Sequence, residues 1–448
     1  MRELLHNASD RALRYLDGLN ERSVAPTPAA IAQLADLDIA LPEDGADPMA
    51  TLAELDSHSD ATVGMNGARF FGFVIGGALP ATLAANWLAG AWDQNAASYI
   101  MSPTAAQLEA VALRWLVDLL GLPAETGAGF VTGATMANFT ALLAARHALL
   151  EATGWDVEAD GLFGAPPITV VVGAEVHVSL IKALGLAGFG RTRVVRVPVD
   201  DQGRMRADAF PELSGPTLVC LQAGNVNTGA FDPFAEIIPR AKAAGAWVHI
   251  DSAFGMWAAA SPHYAHLVSG YADADSWATD AHKYLNTPYD SGLAFVRDPQ
   301  ILRAAMSMSA AYLPVGANRE AFDYTPEMSR RARGVEVWAA LRSLGRAGVV
   351  ELVERTCRHA RRFAEGLSAA GYDILNDVVL NQTLVAFGDA ETTKRVIAGI
   401  QQDGTCWTGG TVWQGKTAMR ISLSSWRTTD ADVERSLEAM IRVARAVG

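Results

Sequence analysis

The chain has 448 residues, half of them hydrophobic and 19% charged, with a net charge of −13. That composition excludes a disordered chain and predicts two or more packed subdomains. The acidic balance argues against nucleic acid or an anionic membrane surface as the main partner.

The opening stretch "MRELLHNASDRALRYLDGLNERS" places Leu5, Ala8, Ala12, Leu16 and Leu19 on one face and predicts an amphipathic helix. It has no uninterrupted apolar run of the kind a secretory signal needs. A second helix is expected over 28–37, followed by a polar loop, "LPEDGADPMA". Residues 1–60 therefore read as an N-terminal helical arm. The most apolar stretch, "FFGFVIGGALPATLAANWLAGAW", is interrupted by glycines and Pro80 and reads as core or interface, with no membrane span expected. Helices are expected over 81–91, 105–120 and 137–150. Strand-like runs follow at 168–173, "TRVVRVPV", "PTLVCLQA", "WVHID", "ADSWAT" and "GLAFVRD", with helices from about 178 and in "PFAEIIPRAKAAGA". Short unalternated strands separated by helices predict a mostly parallel sheet covered on both faces, which makes 61–335 the large domain. From Trp338 a long helix leads into a smaller α+β domain, 336–448, with a helix near 392–402 and a final helix. Cys220, Cys357 and Cys406 lie far apart without metal spacing and read as idle thiols, with no metal site expected. A soluble cytoplasmic protein is the expectation.

Ligands of such sheets sit beyond the carboxyl ends of the strands, and three signals fall there. "WVHIDSAFG" ends a strand on Asp251, followed by small Ser252 and Ala253. An acid there can pair with a heterocycle's ring nitrogen while Ala253 lets the ring lie flat; it can equally cap the next turn. "VTGATMANF" opens a helix with Gly133, Ala134 and Thr135, either a cup for a phosphate at the positive helix end or an ordinary Thr135 N-cap. The spacing fits neither a dinucleotide fingerprint nor a Walker loop. In "ATDAHKYLNTPYDSG", His282 and Lys283 follow a strand, and a lysine set there can lose its proton and attack a carbonyl. His177, just after a strand, can stack on an aromatic ring or simply serve a loop. Thr228, in "QAGNVNTGAFDP", can donate to a ring substituent or belong to turn chemistry.

Taken in chain order, with the cup at 133–135, then His177, Asp251 and the lysine 32 residues after the acid, these residues make the chain resemble the group II pyridoxal-phosphate-dependent amino-acid decarboxylases. Aromatic-amino-acid and glutamate decarboxylases are among them. The resemblance runs from "FFGF" near Phe70 to "MRISLSSWRTT" near Arg420. It implies the aspartate-aminotransferase-like α/β fold, fold type I, with pyridoxal 5′-phosphate as cofactor. It further implies that Lys283 carries the cofactor covalently, that Asp251 keeps the pyridine nitrogen protonated, and that Ala253 and His177 sandwich the ring. Ala134, Thr135 and His282 would contact the phosphate, with Thr228 near the ring. Relatives often carry Asn-Pro or Asp-Pro before His-Lys where this chain has Asp280-Ala281; an anionic Asp280 would repel a phosphate, so it is expected to point away, with Thr279 or a backbone group taking its place.

The activity implied is decarboxylation of a small L-amino acid to its amine and carbon dioxide, aromatic substrates ahead of acidic or diamino ones. Transamination, aldehyde synthesis and a catalytically silent paralogue are the alternatives. The resemblance makes Tyr324, on the segment after "LPVGANREAFD", the candidate proton donor, with Tyr312 or a histidine as substitutes. Arg420 is either a carboxylate grip or a structural strand arginine, and Arg330, Arg331 and Arg333 read as a charge group at a helix start or an interface, with substrate contact as the alternative. Phe71 and Phe73 suggest an apolar pocket for the substrate side chain, with Gly76 and Gly77 leaving room, although Phe70 and Phe71 also read as core. A homodimer with active sites at the subunit interface is implied, with "WDQNAASYIMSP" reaching the neighbour.

Overall fold

Runs such as Thr169–Gly173 (β2), Thr217–Gln222 (β4) and Trp247–Asp251 (β5) lack polar alternation because both faces of the sheet they build are covered. A computed structural model describes residues 1–308 and 318–447. With Gly127–Val131 (β1), Val194–Val197 (β3), Ser276–Asp280 (β6) and Gly292–Val296 (β7), these strands form a seven-stranded sheet in the order β1-β7-β6-β5-β4-β2-β3. Neighbours from β6 through β5, β4 and β2 to β3 are parallel; β7 alone runs antiparallel to β1 and β6. This is the mostly parallel α/β sheet expected. Leu142, Leu149, Leu180, Leu184 and Leu302, from three helices, pack on Val170, Val172, Leu218 and Val296 in one buried cluster.

The chain divides into two compact units. One comprises Gly76–Ala360 with Asn376–Gln382 and holds the large sheet. The other comprises Met1–Ile75, Arg361–Leu375 and Thr383–Gly448. Apart from Gln382, it holds a four-stranded sheet, ordered β10-β11-β9-β8, of Asp373–Ile374 (β8), Gln382–Ala386 (β9), Gly409–Trp413 (β10) and Lys416–Ser422 (β11). The helices Ala390–Asp403 and Asp430–Val447 belong to the same unit. Its N-terminal stretch contains a helix, Pro48–Ser57, whose first three residues fall in the expected polar loop of 41–50. The Asp47 side chain accepts from Ala50 N at 3.2 Å, and Pro48 sits at the first helical position, where a missing N–H costs nothing.

All three cysteines are buried. Burial raises the Cys220 thiol pKa, and pushes that of Cys406 up to about 12. Among the described residues no helix is long and apolar enough to cross a membrane.

One close approach positions the start of the Ala134–Glu151 helix. Gly292, the first residue of β7, lies against the backbone of Gly133, so that a Cβ added there would come within 2.4 Å of the Gly133 carbonyl oxygen. Gly292→Ala is therefore expected to cost about 1–3 kcal/mol through overpacking, read as a shift in the denaturation midpoint. Gly45→Ala, where an added Cβ meets nothing within 4 Å, should leave that midpoint unchanged.

Candidate active site

Parallel strands end at the same edge of a sheet, and this edge gathers the site. Asp251 is the last residue of β5, paired in register with Gln222 of β4 and Ala278 of β6. Two residues later β6 ends at Asp280 and the chain turns into a single helical turn, Ala281–Tyr284, that carries His282 and Lys283. His177, Gln222, Gly224, Val226, Asp251, Ala253, Phe254 and Lys283 line one pocket. Lys283 Nζ stands 5.8 Å from the centre of the Phe254 ring. The backbone beneath it is held by Gly76, whose N–H donates to the His282 carbonyl at 3.1 Å. A Cβ on Gly76 would fall 2.0 Å from the Lys283 carbonyl oxygen, so this glycine serves backbone approach and does not leave room for a ligand as expected.

Asp251 is 4% exposed, yet its Oδ1 has no hydrogen-bond partner. An unsatisfied buried carboxylate oxygen is costly and points to a missing donor. His177 caps the Val178–Leu186 helix: its Nδ1 accepts from Ser179 N at 3.3 Å and lies 2.6 Å from Ser179 Oγ.

Asp280 corrects the sequence expectation. It does not point away from the start of the Ala134–Glu151 helix: its Oδ2 accepts from Ala134 N at 3.3 Å, and its Oδ1 from His282 N at 2.9 Å. Burial raises its pKa, against the opposing pull of Lys283 and His282. Thr279 cannot substitute, because its hydroxyl donates to the Ala253 carbonyl at 3.2 Å. His282 donates from Nδ1 to the Thr287 carbonyl at 2.6 Å, leaving a buried Nε2 without a partner, and burial lowers its pKa. The ring of Tyr289, half-exposed, lies over the imidazole with centroids 3.6 Å apart.

Other expected residues lie elsewhere. Thr228 is buried and its one proton goes to the Gln202 carbonyl at 2.7 Å, so it cannot donate to a ring; Gly224 and Val226 of the same loop line the pocket instead. Tyr324 packs against the Leu142–Leu302 cluster with the Arg319 guanidinium 4.2 Å over its ring, and it is not among the residues that line the Lys283 pocket. Tyr312 is outside the described residues. Phe71, at 1% exposure, is a core residue set edge-on to Phe363, which removes it from any pocket lining. Phe73 is exposed and stacks on Trp407 at 5.8 Å. Arg420 is half-buried on β11 in the smaller unit, its pKa brought down to about 10 by desolvation. Arg330 pairs with buried Glu109, Arg331 with Glu336, and Arg333 with Glu327, a structural charge group.

A polar network beneath the site escaped the sequence reading. Trp247 Nε1 donates to Ser276 Oγ at 2.9 Å, and that hydroxyl lies 2.9 Å from His249 Nδ1. His249 Nε2 lies 2.8 Å from Asn138 Oδ1. The Ser276 proton therefore goes to Nδ1, and the imidazole, neutral with its proton on Nε2, donates to Asn138. Burial lowers its pKa to about 3. One side chain thus ties β5, β6 and the Ala134–Glu151 helix together. The signal was available: His249 is two residues before Asp251, hence on the same face of the strand.

A model of the pyridoxal-dependent decarboxylase conserved domain matches residues 61–388. The chain belongs to this family. Among its curated relatives, the aromatic-L-amino-acid decarboxylase of Bacillus atrophaeus is 25% identical over 99% of this chain and 94% of its own length. The L-2,4-diaminobutyrate decarboxylase of Rhizobium meliloti is 30% identical over 82% of this chain and 76% of its own. The crystal structure of Oryza sativa TDC with PLP and tryptamine shares the fold, with a TM-score of 0.90 at 23% identity over 99% of this chain and 97% of that one. The pyridoxal-dependent decarboxylase is accordingly a carboxy-lyase of fold type I that uses pyridoxal phosphate. Its residues fit that cofactor: an unpaired acid oxygen for a ring N–H, a lysine on the same pocket wall, and a helix N-terminus beside an unpartnered imidazole nitrogen.

The network also predicts acid sensitivity. His249 is neutral when folded and protonates near 6.5 when unfolded, so the unfolded state binds the extra proton between those values. Stability should fall by about 1.4 kcal/mol per pH unit from about pH 6.5 downwards, and His249→Gln should remove that slope in denaturation curves. His249→Ala, which leaves Asn138 and Ser276 unmatched, should cost about 1–3 kcal/mol at neutral pH.

Proposed function

We propose that this decarboxylase converts an aromatic L-amino acid to its amine, with Lys283 and Asp251 as the central pair. The observation that carries the reading is the shared pocket: unpaired Asp251 Oδ1, His177, Ala253 and Lys283 line one cavity at the strand ends. When bound, pyridoxal phosphate supplies an aldehyde for an amine to condense with and a protonated ring that accepts the electrons left by departing carbon dioxide. Lys283, in its neutral form, provides the amine that holds the cofactor. Asp251 accepts a charge-assisted hydrogen bond from the ring nitrogen and keeps the proton there. His177 and Ala253 would flank the ring, while Ala134, Thr135 and His282 would hold the phosphate at the helix end. Gly224, Val226 and Phe254 give the wall an apolar surface that suits an aromatic side chain. The name of the Bacillus relative points the same way.

The reading includes a homodimer. Trp87, Leu88 and Trp92 on the Pro80–Trp92 helix, with Ile100 and Met101 after it, are exposed, and a second copy would cover them. Cytoplasmic residence goes with three reduced, buried thiols.

Incubation with a panel of amino acids, read by mass spectrometry, should yield aromatic amines; keto acids or aldehydes would move the assignment to transamination or aldehyde synthesis. Asp251→Asn should lose at least about 100-fold in turnover, close to 3 kcal/mol of barrier, while still forming a borohydride-trapped lysine adduct. Lys283→Ala should lose the adduct itself. In sedimentation, the wild type should run as a dimer and Trp92→Glu combined with Ile100→Asp as a monomer.

A further inference from the structure

The carboxylate that the structure sets at the mouth of the Ala134–Glu151 helix raises a question of charge. Asp280 Oδ2 accepts from Ala134 N, and the N–H groups of Thr135 and Met136 share a first turn where no helix carbonyl reaches them. The positive helix end already faces an anion. The neighbouring His282 Nε2, buried and without a partner, marks the same spot as a ligand position. A phosphate seated there brings about −1.5 to −2 of charge against that carboxylate. Asp280 has little freedom to swing away: it is 7% exposed, its N–H donates to the Ala253 carbonyl at 3.1 Å, and it pairs in register with Gly292 of β7.

We propose that Asp280 takes up a proton when the cofactor's phosphate docks, so that affinity for pyridoxal phosphate falls as pH rises. The inference rests on the reading that the phosphate sits at this helix end. One proton moves from solvent to a carboxylate oxygen and no covalent bond changes. The carboxyl group then donates to a phosphate oxygen where the carboxylate would have repelled it. The titratable groups that face Asp280 are His282 and Lys283 on the one-turn helix and Tyr289 on the loop beyond it. Gly133, Ala134 and Thr135 at the helix start, Ala253 after β5, and Ser291 and Gly292 at β7 bring no titratable side chain. His282 is the rival proton acceptor, because Nδ1 is engaged with Thr287 and the Nε2 lone pair is open. Burial ranks the two, raising the carboxyl and lowering the imidazole.

The test uses pyridoxine 5′-phosphate, an alcohol that cannot condense with Lys283, titrated calorimetrically into the cofactor-free full chain. At about pH 8, in two buffers of different ionisation heat, the wild type should take up about one proton per ligand. Asp280→Asn, whose amide can donate without protonation, should take up none. Across rising pH the wild-type Kd should grow about tenfold per unit relative to that of Asp280→Asn. Binding by the wild type without proton uptake overturns the proposal, and so does equal uptake by Asp280→Asn, which would place the proton on His282 or on the ring nitrogen beside Asp251. If the wild type binds pyridoxine as tightly as its phosphate, the phosphate position itself is wrong and the underlying reading fails with it.

Discussion

The site depends on register. Because β4, β5 and β6 are parallel and paired residue for residue, Gln222, Asp251 and Ala278 stand abreast at one edge. A one-residue slip would turn Asp251 to the opposite face. His249 guards against that slip from below. It spans Ser276 on β6 and Asn138 on the helix that follows β1, so the two strands that carry the acid and the lysine share one buried network with the helix that would hold the phosphate. A fully apolar core could pack as densely, but it would not oppose sliding in the same specific way.

A second buried ionic group secures the segment after residue 317. Glu109 receives Arg330 and Arg319, and Arg319 also covers the Tyr324 ring. Such networks add little net stability once desolvation is counted. What they fix is geometry, and here they hold Tyr324 against the Leu142–Leu302 cluster.

Much of this was legible in the residues. Unalternated β-branched runs between helices announced the parallel sheet, and small residues after strand ends marked its carboxyl edge. The acid–lysine order named the family, and the pocket that joins Asp251, Ala253, His177 and Lys283 follows from topology that the pattern already contained. Three kinds of fact were not legible. Thr228 looked like a donor, but only coordinates reveal that the Gln202 carbonyl claims its hydroxyl. Asp280 was judged by charge alone; the backbone N–H groups of Ala134 and His282 that make its position tolerable belong to a fold, not to a motif. Phe71 and Phe73 sit two apart, yet one is core and the other exposed, because the backbone of Phe73 takes a positive φ of 56° and breaks the alternation.

The sealed cysteines give the molecule an internal gauge. Cys220 lies in the central strand layer of the larger unit and Cys406 in the smaller one, both shut away from solvent and held as thiols. The thiolate is the reacting species, so an alkylating dye meets neither until its surroundings open. Mass-resolved dye uptake during gentle denaturation would therefore time the opening of each unit separately, without any engineered label.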